Sequence, residues 1–216
     1  MGAAIAELPR IVPVFAVSGA LLLPGARLPL TVFEPRYLAL TDAALGAGRL
    51  FALVQPAAEG VATGGAVAGL YAVGTLARIT AFGETGDGRY LITATGITRF
   101  RLAGEVEGRA GYRRVVAEYG PYAGDLTPGP EGMVDRRRLM AAVSNYLARQ
   151  GVALDLAKLE NAPDGEMVSA LAMAAPLSPE EKQALLEVPT LVERADLMIA
   201  MFEMALLAEA GPSVLH

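Results

Sequence analysis

Residues 30–40 read LTVFEPRYLAL. An apolar run enters Glu34-Pro35-Arg36 and leaves as apolar sequence again. Two opposite charges around a proline admit two readings, a catalytic pair or a corner at which a strand becomes a helix. Proline suits the first position of a helix, because the N–H it lacks has no helical partner there. The following residues, RYLALTDAALGAG (36–48), run at helical spacing to a glycine stop. Glu34 is a weak N-cap by type, yet a carboxylate beside a helix N-terminus is favoured by the partial positive charge there. Arg36 can pair with it or with another acid. A catalytic pair accounts only for the charges, whereas a corner accounts for all three residues. Glu34, Pro35 and Arg36 are therefore expected to serve the fold.

Around this corner the first half of the chain reads as β. RIVPVFAV (10–17) and LPLTVF (28–33) are short strands separated by the loop SGALLLPGAR. FALVQP (51–56), TLARITAF (75–82), RYLITATG (89–96), ITRFRL (97–102) and YRRVVAEY (112–119) are rich in strand formers, and GETGDG is a hairpin-type turn. Tyr90, Ile92 and Ala94 alternate with Arg89, Leu91, Thr93 and Thr95, and Phe100 and Leu102 alternate with Arg99 and Arg101. One face of these strands is wetter than the other. Arg89, Arg99, Arg101, Arg113 and Arg114 are accordingly expected in solvent. Short strands with frequent turns imply a small barrel or sandwich.

GPYAGDLTPGPEG (120–132) is dense in Gly and Pro and reads as a linker. Beyond it the pattern is helical. MVDRRRLMAAVSNYLARQG (133–151) has apolar residues at helical spacing, and Asp164 can cap a helix through EMVSALAMAA (166–175). Ser178-Pro179-Glu180-Glu181 and Thr190-Leu191-Val192-Glu193 both have the capping-box pattern. In the last helix Leu191, Ala195, Met198, Phe202, Ala205 and Leu206 fall on one stripe. The expected organisation is α+β, with a β subdomain at 1–121, a linker at 122–132 and a helical subdomain at 133–216.

Composition excludes several chemistries. Apolar residues make up 53% and charged residues 19%, which supports a core and argues against disorder. The net charge of -5 counts against a general nucleic-acid binder, which carries a basic surface. With no cysteine there are no disulfides, thiolate metal sites or thiol nucleophiles. The single histidine is His216, the last residue, so histidine triads and histidine metal centres have no material. Lysine occurs only at Lys158 and Lys182, and neither completes the Gly-Lys-Ser/Thr of a P-loop. ATGGAVAG (62–69) does not match G-x-G-x-x-G and reads as a flexible loop. Asp135-Arg136-Arg137-Arg138 reads as the solvated start of a helix, since three consecutive positions cannot all face a helical core. No catalytic residue, metal ligand or cofactor is expected. The start MGAAIAELPR lacks a basic signal region, and LMIAMFEMALLA (197–208) is too short to span a bilayer and contains Glu203. A cytoplasmic protein with no membrane partner is expected.

Taken in order, PVFAVSGALLLPGARLPLTVFEPRYLALTDAAL (13–45), LYAVGTLARITAF (70–82), GRYLITATGITRFRL (88–102) and YRRVVAEY (112–119) resemble the N-terminal substrate-binding domain of Lon proteases. The proline-glycine loop, the FEPRY corner and the Y-x-V-G-T-x-A-R-I strand carry the likeness. It continues more weakly through LSPEEKQALLEVPTLVERADLMIAMFEMAL (177–206). The resemblance implies a PUA-like β-barrel followed by a C-terminal helical bundle, and a module that binds polypeptide segments or a protein partner. The sequence ends at 216 without the ATPase and Ser–Lys peptidase domains of the full protease, so a stand-alone, non-catalytic protein is expected. The alternative that the PUA relationship raises is RNA binding, which the acidic balance disfavours. Apart from Met1, every methionine lies in the helical half, and methionine adapts to varied apolar partners. The candidate peptide contacts are Tyr112 from the barrel and Met201 and Met204 from the last helix, around an apolar groove near the junction of barrel and helices.

Overall fold

The computed structural model describes residues 5–57, 67–127, 133–152 and 156–209. His216, most of the ATGGAVAG loop and the end of the expected linker lie outside these residues. In chain order the elements are β1 (Ile11–Ala16), β2 (Arg27–Val32), α1 (Pro35–Leu45), β3 (Leu50–Val54), β4 (Val73–Glu84), β5 (Tyr90–Arg109), β6 (Tyr112–Glu118), α2 (Arg136–Arg149), α3 (Asp164–Ala174), α4 (Pro179–Glu187) and α5 (Leu191–Glu209). They divide into two units, Met1–Pro128 with Leu177–Leu186 and Gly129–Pro176 with Glu187–His216. The α+β expectation holds.

In the first unit the strand order is β2-β5-β4-β3-β1-β6, and β6 pairs again with β5. All pairings are antiparallel except β1 with β3. β5 makes this possible because it is 20 residues long. Its first half pairs with β4 and its second half with β6, with register shifts beyond Leu102 that let the strand bend. The sequence reading divided it in two near Gly96. Gly96 instead lies within the strand because the loop before β2 crosses there, and a side chain would collide with Leu23 O. Gly25 N and Ala26 O bond to Gly96 O and Gly96 N at 2.9 and 3.0 Å. The V-G-T of β4 has a similar cause. A Cβ at Gly74 would sit 2.8 Å from Val54 Cγ2, and the buried Thr75 hydroxyl donates to Leu22 O at 2.6 Å. Val12, Val14, Val54, Leu76, Phe100 and Val115 fill the interior. β2 is an edge, and Pro29 removes an outward N–H from it, which blunts pairing by another chain.

Arg99 departs from the expectation. It is 4% exposed, not in solvent. Gly120–Leu126, within the expected linker, forms short 3-10 turns kinked at Tyr122 that lay Asp125 against β5. Asp125 takes the guanidinium bidentately, Nε to Oδ2 at 2.9 Å and Nη2 to Oδ1 at 2.7 Å, and also accepts from Arg99 N at 2.8 Å. Nη1 donates to Leu186 O at 3.1 Å, and the guanidinium lies 4.7 Å from the Tyr122 ring centroid. Full pairing is what permits a charge at this depth.

α4 is also held in this unit. Its capping box forms, with Ser178 N donating to Glu181 Oε2 at 2.7 Å and Glu181 N donating to Ser178 Oγ at 3.2 Å. Gln55 Nε2 donates to Pro179 O and Gln183 Oε1, Gln183 Nε2 donates to Val73 O, and Lys182 Nζ donates to Gly19 O.

In the second unit α2 starts on Asp135, whose side chain accepts from Arg138 N at 3.0 Å. Asp164 is not the cap of α3 but its first residue, with Pro163 at the N-cap. Its buried carboxylate accepts from Arg136 at 2.6 Å, and Arg136 also donates to the carbonyls of Leu159, Glu160 and Ala162. Arg136 is thus half-buried and paired, not a solvated helix start. Leu139, Val143, Met167, Leu171, Met198 and Phe202 form the apolar interior, with Tyr146 stacked on Phe202 at 4.8 Å. The second capping box forms at Thr190 and Glu193. Among the described residues no helix is long and apolar enough to cross a membrane.

Removing one partner of the buried Arg99–Asp125 pair leaves an uncompensated charge. Asp125→Ala is expected to lower stability by about 3 kcal/mol, read as a fall in the urea midpoint at constant slope. Arg101→Ala, at the neighbouring exposed position, should change it by less than about 0.5 kcal/mol.

Candidate functional site

The FEPRY corner starts a helix and borders a cleft. Glu34 is extended (φ -70, ψ 132) and Pro35 opens α1; the Glu34 side chain makes no cap bond. Arg36 turns back on it, with Nε 2.9 Å and Nη2 2.7 Å from Glu34 Oε2. Arg36 also lies over the Tyr37 ring, 4.5 Å from its centroid. Tyr37 points into the sheet and stacks on Phe15 with centroids 4.2 Å apart. β6 pairs with β1 only as far as Val14. Ala16 therefore has peptide groups on that side with no strand to meet. The Tyr37 hydroxyl supplies both partners, donating to Ala16 O at 3.0 Å and accepting from Ala16 N at 3.2 Å.

A cleft of about 260 Å³ opens where β6 leaves β1. Val14, Ala16, Pro56 and Leu70 give it apolar walls, and Tyr37, Tyr112, Arg36 and Arg113 complete it. Pro56 and Leu70 are held by an antiparallel bridge, with Ala57 N donating to Gly69 O and Tyr71 N donating to Gln55 O, both at 3.1 Å. The turn Ala110-Gly111, with φ of 48 and 84, brings the β5–β6 connection against Arg36. Arg113 Nε and Nη2 each lie 2.6 Å from a Glu105 oxygen, and Nη2 also donates to Ala68 O at 3.0 Å. The hydrogen bonds from Arg113 hold the Glu105 carboxyl below its ordinary value, and the same bonds raise Arg113. The walls of this cleft offer cations, aromatic rings and apolar surface. Among the described residues no cluster of three His, Cys, Asp or Glu could hold a metal ion.

Of the candidate contacts, Tyr112 lies on the cleft beside Arg36, but it is 5% exposed and serves as wall more than as open surface. Met201 and Met204 belong to α5 in the other unit, the first half-buried and the second 65% exposed. Met167 and Met198 are fully buried core. Sequence reasoning missed Tyr37, Leu70 and Arg113 as neighbours. Arg113 had a signal of its own, an arginine on a strand, but it was discounted as ordinary solvent exposure. Only the strand pairing brings it to the corner.

The model of the ATP-dependent protease La (LON) substrate-binding domain matches residues 11–203. Lon protease 2 of Myxococcus xanthus is 27% identical over 199 residues, which is 90% of this chain and 24% of that protein. A Lon protease of Anaeromyxobacter dehalogenans (strain 2CP-C) is 30% identical over 97 residues, 44% of this chain and 11% of that protein. The chain thus spans about a quarter or less of these relatives. Among solved structures, a Lon N-terminal domain protein from Xanthomonas campestris aligns with a TM-score of 0.63 at 24% identity, covering 88% of this chain and 97% of that one. The N-terminal domain of Mycobacterium avium complex Lon protease aligns with a TM-score of 0.60 at 19% identity, covering 89% and 98%. Both have the same fold.

Two substitutions separate the parts of the corner. Tyr37→Phe leaves both peptide groups of Ala16 without their partner and is expected to cost about 1–3 kcal/mol in denaturant titration. Glu34→Gln, at a half-exposed pair, should cost at most about 1 kcal/mol. The Glu105 carboxyl is lowered in the folded state, so its contribution is present above the unfolded value and is lost as pH falls through the folded one. Glu105→Gln should therefore lose less stability on acidification than the parent.

Proposed function

The chain belongs to the ATP-dependent protease La (LON) substrate-binding domain family, and we propose on that footing that it is a non-catalytic module that recognises polypeptide segments or a protein partner. The observation that carries the proposal is the match of residues 11–203 to a substrate-binding domain. The cleft is consistent with it, since it joins apolar surface to hydrogen-bonding groups at the place where a strand edge runs out. Tyr112 contributes a wall of that cleft. Met201 and Met204 contribute adaptable apolar surface on α5, where a polypeptide can be held without strong sequence preference. The protein works in the cytoplasm and neither hydrolyses ATP nor cleaves protein by itself.

RNA binding is the weaker reading. It requires a continuous basic face. Arg36, Arg89, Arg113 and Arg138 are each paired with a carboxylate, Glu34, Asp87, Glu105 and Glu203 respectively, which cancels their charge locally.

Chemical-shift mapping with an unfolded model polypeptide and with a single-stranded RNA tests this reading. Shifts on the cleft or on the Met201–Met204 face with polypeptide alone are expected. No binding to unfolded chains at millimolar concentration, or shifts on the arginine-bearing strands with RNA, would overturn it. In parallel, purified protein should show no turnover of ATP or casein above a mock preparation.

A further inference from the structure

We propose that the open face of β2, β5 and β4 binds an acidic, extended polypeptide segment through Arg27 and Arg78. This rests on the polypeptide-binding reading above and gives its ligand a chemistry. The first observation is the register. Arg27 on β2 and Arg78 on β4 are both direct partners of Thr95 on β5. Direct partners share a face, so the two arginines flank Thr95 in one row. Two strand spacings put their Cα atoms about 10 Å apart. On the opposite face the next row, with Ala94 and Ile79, is buried. Arg27 and Arg78 themselves are exposed, as are Pro29 and Thr31 further along β2.

The second observation is charge. Among the described residues Arg27, Arg49 and Arg78 form no ion pair. Arg78 donates from Nη1 to Gly48 O at 3.3 Å, which leaves its Nε–Nη2 edge for a planar carboxylate. Arg49 precedes Leu50, the β3 partner of Arg78, and is exposed at φ 64, a conformation uncommon for arginine. Glu84 ends β4 about 20 Å along the strand from Arg78. Asp87, in the turn beyond, is taken by Arg89. This end of the sheet face therefore keeps its positive charge, whereas the two arginines of the cleft are neutralised by Glu34 and Glu105.

The third observation is the hydroxyls between the arginines. Thr80 Oγ1 donates to Thr93 O at 3.2 Å and lies 3.0 Å from Thr95 Oγ1. The Thr80 hydrogen is committed, so Thr95 supplies the hydrogen of that contact and keeps only acceptor capacity. An occupant that fits brings carboxylates to the guanidiniums and an N–H to Thr95. A polypeptide has both, while a phosphodiester backbone brings the charge without the N–H. Carboxylates two residues apart lie on one side of an extended segment, about 7 Å from each other, within reach of both arginines. Pro29 blunts the edge of β2, so the segment lies across the face and does not extend the sheet.

The test uses the full chain and two fluorescent ten-residue peptides, one with a central Glu-Ser-Glu and one with Gln-Ser-Gln in its place. Anisotropy at low ionic strength is expected to show the acidic peptide binding about fivefold more tightly, the size of two exposed charge pairs. The difference should vanish in 1 M salt. The Arg27→Gln/Arg78→Gln double variant should lose it, and Arg137→Gln, an exposed cation on α2, should keep it, with circular dichroism melts reporting that both are folded. In the parent, the acidic peptide should shift the amide resonances of Arg27, Arg78 and Thr95. Equal binding of the two peptides, shifts confined to other surfaces, or an equal loss in Arg137→Gln would overturn the assignment while leaving polypeptide recognition intact. Tighter binding of a single-stranded RNA that the double variant abolishes would overturn it in favour of nucleic acid. A dimer that the double variant dissolves in sedimentation would give the face to a second copy instead. Failure of both peptides and of unfolded protein to bind would overturn both readings.

Discussion

Ala16 turns its N–H and its C=O to the side that β6 leaves, and the hydroxyl of Tyr37 bonds to both. A buried backbone group without a partner costs as much as a lost hydrogen bond or more, so the end of a strand pairing has to be closed by something. Here it is closed by a side chain from the third residue of α1. That one contact fixes where α1 meets the sheet and brings Arg36 over the Tyr37 ring. It also leaves space between β1 and the β5–β6 turn that a continued β6 ladder would have filled. The cleft exists because the sheet is finished by a phenol instead of a strand.

Much of the fold was legible because its signals are local. Pro35 after an apolar run, the two capping boxes and the glycine-rich hairpin turn each act within a few residues, and each forms at its expected place. Arg99 was illegible for the opposite reason. Alternation on β5 assigns it to the wet side, and only Asp125, 26 residues away in a Gly- and Pro-rich stretch, makes its burial affordable. Asp164 was misread in a similar way. A carboxylate at a helix start looks like a cap until a distant guanidinium claims it.

The candidate site was harder to read than the fold. Arg36, Leu70 and Arg113 come from three separate stretches, and neither spacing nor composition connects them. The Gly74-Thr75 pair of the Y-x-V-G-T-x-A-R-I strand answers to backbone crowding and a loop carbonyl. A strong sequence pattern here reports what the backbone cannot tolerate. The candidate site is assembled from residues whose individual signals are weak.

α4 belongs to the sheet unit, although the chain on either side of it belongs to the other. The sheet unit is therefore not a continuous piece of sequence. Gln55 waits for Pro179 and Gln183, 124 and 128 positions later. During synthesis all six strands leave the ribosome before the segment that satisfies this buried amide exists. Until then the nascent sheet carries an open polar seat at Gln55 and Val73 O. The second unit is interrupted in the same way, so neither unit can be completed before the other has begun. A cut at any single peptide bond between them would separate a helix from its own unit.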